Sequence, residues 1–268
     1  DVDGDPNTMN SSSATLTFST ENGAIPSCST ILFAGLYWTG RASDGSSSPE
    51  TFTVTKGSLT KTFDKRTVYL KGPGDTSYTQ YVANPGDIYY PTSSYGYMYS
   101  GYVEVTDYVK THGLGQYTVA DIASIEGDGG STGYYCGWGM IVVYENSKMN
   151  WRDITVFDGH AYVAGNATLS YQLPVSGFHT AQSGPVNLKL GVMAGEGDVG
   201  ISGEYFKIRN YQDNAWITLN DSMNTANNFF NSSIVTSGAR NPSLKNNTGV
   251  DIHMFNIHHI DIILFFFT

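Results

Sequence analysis

Charge is what this chain has least of. Charged residues make up 14% of its 268 residues, against roughly a quarter in an average soluble domain. Basic residues are the scarcer sign, 14 Lys+Arg against 24 Asp+Glu, for a formal net charge of -10. That balance excludes the counterion-releasing surface that a nucleic-acid backbone or an anionic membrane requires. Cysteine is limited to Cys28 and Cys136, which allows one disulfide but no disulfide scaffold. Pairing across a sandwich and two buried free thiols both remain open. Long apolar runs are missing too: the longest, Ile262 to Phe267, falls far short of the roughly 20 residues of a membrane-spanning helix. The opening residues lack the basic and apolar stretches of an export signal, so any such signal has been removed or lies upstream.

Aromatics are plentiful, with 13 Phe, 4 Trp and 19 Tyr, far more than a disordered chain carries. Helical periodicity is nearly absent, while alternating or short apolar runs closed by Gly, Pro, Asn and Asp recur throughout. Ala14 to Ser19 alternates, and Ile31 to Trp38 is apolar on both faces, as a central buried strand would be. Thr51 to Lys56 and Leu59 to Phe63 flank Gly57-Ser58 as a hairpin. Further strands are expected at 66–71, 96–105, 116–123, 138–145, 152–157, 167–173, 186–193, 204–209, 215–219, 232–235 and 249–257. Val105, Tyr108 and Val109 predict one helical turn ending by Gly113. The expected fold is all-β, a jelly-roll-like antiparallel β-sandwich in two packed modules. The modules span 1–147 and 148–257, followed by an apolar strand at 258–268.

Several strings together carry a resemblance: Asp3-Gly4-Asp5-Pro6-Asn7-Thr8, Ala34-Gly35-Leu36-Tyr37-Trp38, Val105-Thr106-Asp107-Tyr108-Val109, Gly137-Trp138-Gly139 through Asn146, and Arg152 to Gly159. As a set they resemble the N-terminal modules of Bacteroidota surface proteins exported by type IX secretion, of the gliding-motility-associated or adhesin-like kind. The resemblance implies an extracellular or cell-surface location and a structural or adhesive role, and it supplies no catalytic residues. Such proteins continue into repeats and a sorting domain that are not visible here, so the chain reads as a processed or partial product. Asp221-Ser222-Met223 is similar to the sequence at which Bacteroidota O-glycosylate exported proteins, which makes Ser222 a glycosylation candidate.

The tail departs from that family. Its six consecutive apolar residues, Ile262 to Phe267, form a strand that needs cover on both faces. It is expected either to be buried in a sandwich or to pair with a neighbouring copy through Ile260, Ile262, Leu264 and Phe266. That pairing would make the chain a self-assembling fibre subunit whose partners are its own copies or other surface proteins.

Carboxylates at Asp1, Asp3 and Asp5 have the opening spacing of a calcium loop, but Pro6 and Ser12 stand where an EF-hand needs Gly and Glu. A looser Ca2+ site and a solvated acidic terminus are the two readings. Glu126-Gly127-Asp128 and Glu196-Gly197-Asp198 repeat an acidic, glycine-spaced pattern that fits either cation loops or ordinary turns. Either acidic pair could stand at glycosidase spacing, yet no nucleophile elbow, phosphate loop or zinc motif accompanies it, so no enzyme is expected. The tyrosine-rich stretch from Tyr78 to Tyr102 offers a different chemistry. Tyr89, Tyr90, Tyr95, Tyr97 and Tyr99 would suit stacking on glycans in a calcium-assisted carbohydrate-binding module, or would fill a sandwich core.

Overall fold

A computed structural model describes residues 1–43, 50–91, 97–165, 169–179, 186–209, 214–236, 239–244 and 249–258, with backbone alone at 131 and 258. The chain is all-β with one short helix, and it divides into two compact units, Asp1–Trp151 with Ser237–Leu244, and Arg152–Thr236 with Lys245–Thr268.

The first unit holds β1 (Ser11–Leu16), β2 (Thr30–Arg41), β3 (Thr51–Lys56), β4 (Leu59–Asp64), β5 (Thr67–Lys71), β6 (Thr79–Val82), β7 (Ile88–Tyr89), β8 (Met98–Glu104), β9 (Gly115–Ala120) and β10 (Tyr135–Glu145). The second holds β11 (Asn187–Gly195), β12 (Lys207–Arg209), β13 (Trp216–Thr218), β14 (Ile234–Val235) and β16 (Val250–His258), while β15 (Arg240–Asn241) returns to the first.

In the first unit a five-stranded sheet, β15-β1-β9-β5-β6, and a four-stranded sheet, β10-β2-β8-β7, share one apolar core, which makes a sandwich of antiparallel sheets. Val68, Leu70, Tyr117 and Val119 face that core from the first sheet, and Leu36, Trp38 and Tyr99 from the second. β2 is buried along most of its length because β8 and β10 flank it on both sides, as its two-faced apolar run predicts. The β3–β4 hairpin turns at Gly57, whose φ of 60 suits a residue without Cβ, and lays Phe52 and Phe63 into the core.

Helix α1 (Thr106–His112) is longer than expected, about two turns. Thr106 Oγ1 accepts the Ala34 N–H at 2.9 Å, which ties the helix start to β2. Gly113, at φ 66, closes it where the sequence places the stop.

The second unit is smaller in strand content. Its sheet runs β11-β16-β14, antiparallel between the first two and parallel between the last two, beside the β12–β13 hairpin. Leu190, Ile208, Phe229, Phe255 and Ile257 form its core. The strand expected at 152–157 is absent, and the described part of 167–173 carries none either. Ile154 and Leu169 are largely exposed, and alternation without a pairing partner does not make a strand. The second unit is also discontinuous: 237–244 leaves it so that β15 can pair with β1.

Candidate functional site

The first unit carries an open recess of about 530 Å³ between the chain leading into β6 and the exposed side of α1. It is built around Asp75, which the Gly72-Pro73-Gly74 turn delivers. The Gly72 N–H donates to Asp75 Oδ2 at 3.2 Å and to the Tyr108 hydroxyl at 2.7 Å. Tyr108 in turn donates to Asp75 Oδ2, and His112 Nε2 meets Asp75 Oδ1 at 3.0 Å. Tyr108 and His112 stand four residues apart, on one face of α1, with ring centroids 4.0 Å apart. The ring of Tyr81, from β6, meets Tyr108 edge-on at 5.8 Å.

These contacts set the electrostatics. Hydrogen bonding from Tyr108 holds the Asp75 carboxyl below its usual range against the opposing effect of burial, with help from the Gly72 N–H and His112. Burial, followed by the bond to Asp75, pushes the Tyr108 phenol up, and burial with the Asp75 charge does the same to Tyr81. Asp75 is therefore a fixed anion and the phenols stay protonated. Ser77, Thr79 and Thr111 add hydroxyls and Asp107 adds a second carboxylate to the rim. The recess thus combines acceptors, hydroxyls and an aromatic ring.

The expected site residues lie elsewhere. Asp3 accepts from Thr8, Tyr78 and the Asp5 N–H, Asp1 accepts from Ser11, and Asp5 takes both N–H groups of Asn7. The alternating aspartates thus cap their own loop instead of converging as a calcium loop. Glu126 reaches Lys56 at 3.7 Å, and Asp128 accepts the Gly130 N–H at 3.0 Å, so the first Glu-Gly-Asp string is a turn. Among the described residues no three His, Cys, Asp or Glu side chains gather as a group that could hold a metal ion.

The second string has a different setting. In the second unit Glu196, Asp251 and Asp198 act on Glu204, whose carboxyl is raised to about 7 by burial first and by those charges second. Asp251 is 1% exposed, and its carboxylate accepts the Ser232 and Ser233 N–H groups at 3.1 and 2.9 Å. Burial nonetheless raises it to about 6. Nearby, His253 Nε2 meets Ser233 Oγ at 2.9 Å, and its Nδ1 stands 3.6 Å from Asp221 Oδ2. Ser233 and His253 are 4% and 0% exposed, so these two are core groups, while Asp221 stands at the surface.

Of the tyrosines expected to bind glycans, Tyr99 is a core residue, 1% exposed, and donates to Ala123 O at 2.7 Å. Its burial overturns the ligand role. Tyr97 packs on the Lys65 ammonium, Tyr90 is half-buried against the core, Tyr89 lies at the sheet edge on β7, and Tyr95 lies outside the described residues. The recess draws Tyr81 from the same tyrosine-rich stretch. His112 is the recess residue that the sequence does not reveal, because nothing local signals a contact with Asp75 thirty-seven residues away.

Of the two cysteine readings, the disulfide fails. Cys28 precedes β2 and is exposed, whereas Cys136 pairs with Gly40 near the far end of that strand. About ten strand residues separate them, roughly 33 Å, against a Cα limit of about 7 Å. Both thiols are free, and burial pushes that of Cys136 up despite a bond with Ser124. Ser222 is exposed on a turn that Asp221 Oδ1 fastens through the Met223 and Asn224 N–H groups at 2.7 and 2.8 Å. Ile260, Ile262, Leu264 and Phe266 lie outside the described residues. No helix among the described residues is long and apolar enough to cross a membrane. Comparison with protein-family models, with curated proteins and with solved structures found no match.

Proposed function

We propose that the chain is an extracellular surface protein with an adhesive role, and that its first unit makes contact through the Asp75–Tyr81–Tyr108–His112 recess with the hydroxyls of a neutral saccharide. The single observation behind this reading is the ionised Asp75 held at the centre of a hydroxyl-rimmed recess beside an aromatic ring. A fixed carboxylate accepts from vicinal hydroxyls without reorganising, a ring supplies an apolar face for sugar C–H groups, and paired acids repel phosphorylated or acidic ligands. The recess volume suits one or two sugar rings.

A glycan array with the full chain tests it. Neutral saccharides are expected to bind, and Asp75→Asn is expected to weaken binding about tenfold or more through the lost charge-assisted bonds. Binding should survive a chelator. Loss of signal with chelator would point to the calcium-assisted alternative, and a silent array, or one that Asp75→Asn leaves unchanged, would refute the site. The exposed Ser222 hydroxyl suits glycan attachment, which a hexose-containing peptide mass around 221–223 would establish.

A further inference from the structure

We infer that Lys61 and Asp121 are joined by an intramolecular isopeptide bond, a covalent tie between the β3–β4 hairpin and the end of β9. Lys61, on β4, places Nζ in direct contact with Asp121 Oδ2. The acceptor is built as an electrophile would be. Its side chain is 5% exposed, and its other oxygen, Oδ1, accepts the Met9 N–H at 2.8 Å, where a donor would hold the oxyanion of a tetrahedral intermediate.

The backbone around Asp121 is fixed with unusual care. Asp121 takes a φ of 54, a left-handed conformation that a residue with a Cβ adopts at a cost. Asn10 clamps both sides of it. Its carbonyl accepts the Asp121 N–H at 2.9 Å, its Oδ1 accepts the Ile122 N–H at 3.0 Å, and its Nδ2 donates to Ile122 O at 2.8 Å. The nucleophile is held in turn by the Asn7 carbonyl at 2.6 Å and lies 5.9 Å from the Tyr69 ring centre. These converging bonds hold the Asp121 carboxyl where Lys61 reaches it.

The reaction needs no reagent beyond the pair. A proton passes from the Lys61 ammonium to Asp121 Oδ2 across their direct contact, leaving an amine and a carboxylic acid. The Nζ lone pair attacks Cγ while the Met9 N–H holds the charge on Oδ1. The bond from Cγ to Oδ2 then breaks, and Oδ2 departs with a second Nζ proton as water. One amide forms, one water leaves, and the two charges cancel. The benefit falls on the hairpin, a two-stranded sheet separate from both main sheets, since such a pair is marginal by itself.

Intact-mass measurement of the denatured full chain decides the matter. The expected mass is one water below the sum of the residues, and a protease digest should yield a branched peptide joining the segments that contain Lys61 and Asp121. Lys61→Arg and Asp121→Ala should each restore the full linear mass, a readout that survives even if a variant unfolds. A wild-type chain at full linear mass shows an ordinary ion pair and overturns the inference. So does a water loss that persists in Lys61→Arg, as from a succinimide closed by Asp121 on its own backbone.

Discussion

Lys65 sits inside the first unit, 1% exposed, with its ammonium within 6 Å of the Phe52, Tyr97 and Tyr99 rings and donating to Tyr97 O at 3.0 Å. Burial lowers it from 10.5 to about 8. Between those values the unfolded chain carries a proton that the folded chain lacks, so stability rises with pH across that window. The full effect is about 1.4 kcal/mol per pH unit. Lys65→Met is expected to flatten that rise, read as urea midpoints at pH 8, 9 and 10. Asp251 is the counterpart in the second unit. Asp251→Ala would strand two buried N–H groups and is expected to cost about 2–4 kcal/mol in denaturant unfolding. Its raised carboxyl has the opposite pH sign: the part it contributes through protonation is present below about pH 4 and lost as pH rises through about 6. Asp251→Asn should therefore lose less relative to wild type at pH 7 than at pH 4.

The element scale shows how strands accommodate the aromatics. Gly101 on β8 lies opposite Trp38 on β2, and a Cβ at Gly101 would come within 2.6 Å of the indole. The indole also donates to Lys65 O at 2.8 Å, so it cannot simply swing away. Gly101→Ala is expected to destabilise the first unit by about 1–3 kcal/mol through overpacking, lowering its thermal midpoint without changing the far-ultraviolet spectrum. The β3–β4 hairpin was legible from the sequence because alternation and a glycine turn act within a dozen residues. The strand expected at 152–157 was not formed, because Ile154 and Val156 alternate without a partner to accept their ladder bonds. β6 and β7 went unread for the converse reason: they are short, polar at several positions, and exist through pairing with β5 and β8.

At the scale of the molecule the chain forms two units whose division is not a single cut. β15 contributes only two residue pairs to the edge of β1, so a fragment of residues 1–151 is expected to keep its sandwich and lose little stability. Comparing its thermal midpoint with the first transition of the full chain checks this. Loss of cooperative melting in the fragment would show that 237–244 is indispensable. Self-assembly is a separate proposal that rests on the apolar tail. Removing residues 260–268 is expected to abolish any filaments seen by electron microscopy while leaving a folded monomer, and unchanged filaments would refute it.

The sequence alone determined the all-β class, most strand positions, the helix stop at Gly113 and the net negative charge, because alternation, turn residues and charge are local or additive. The tertiary structure decided which polar groups meet. It set His112 against Asp75, Lys61 against Asp121, and Glu204 among Asp198, Glu196 and Asp251, and it parted Cys28 from Cys136 along the length of one strand. Those outcomes follow from register and burial, which belong to pairs of segments far apart in the chain and leave no local mark on either one.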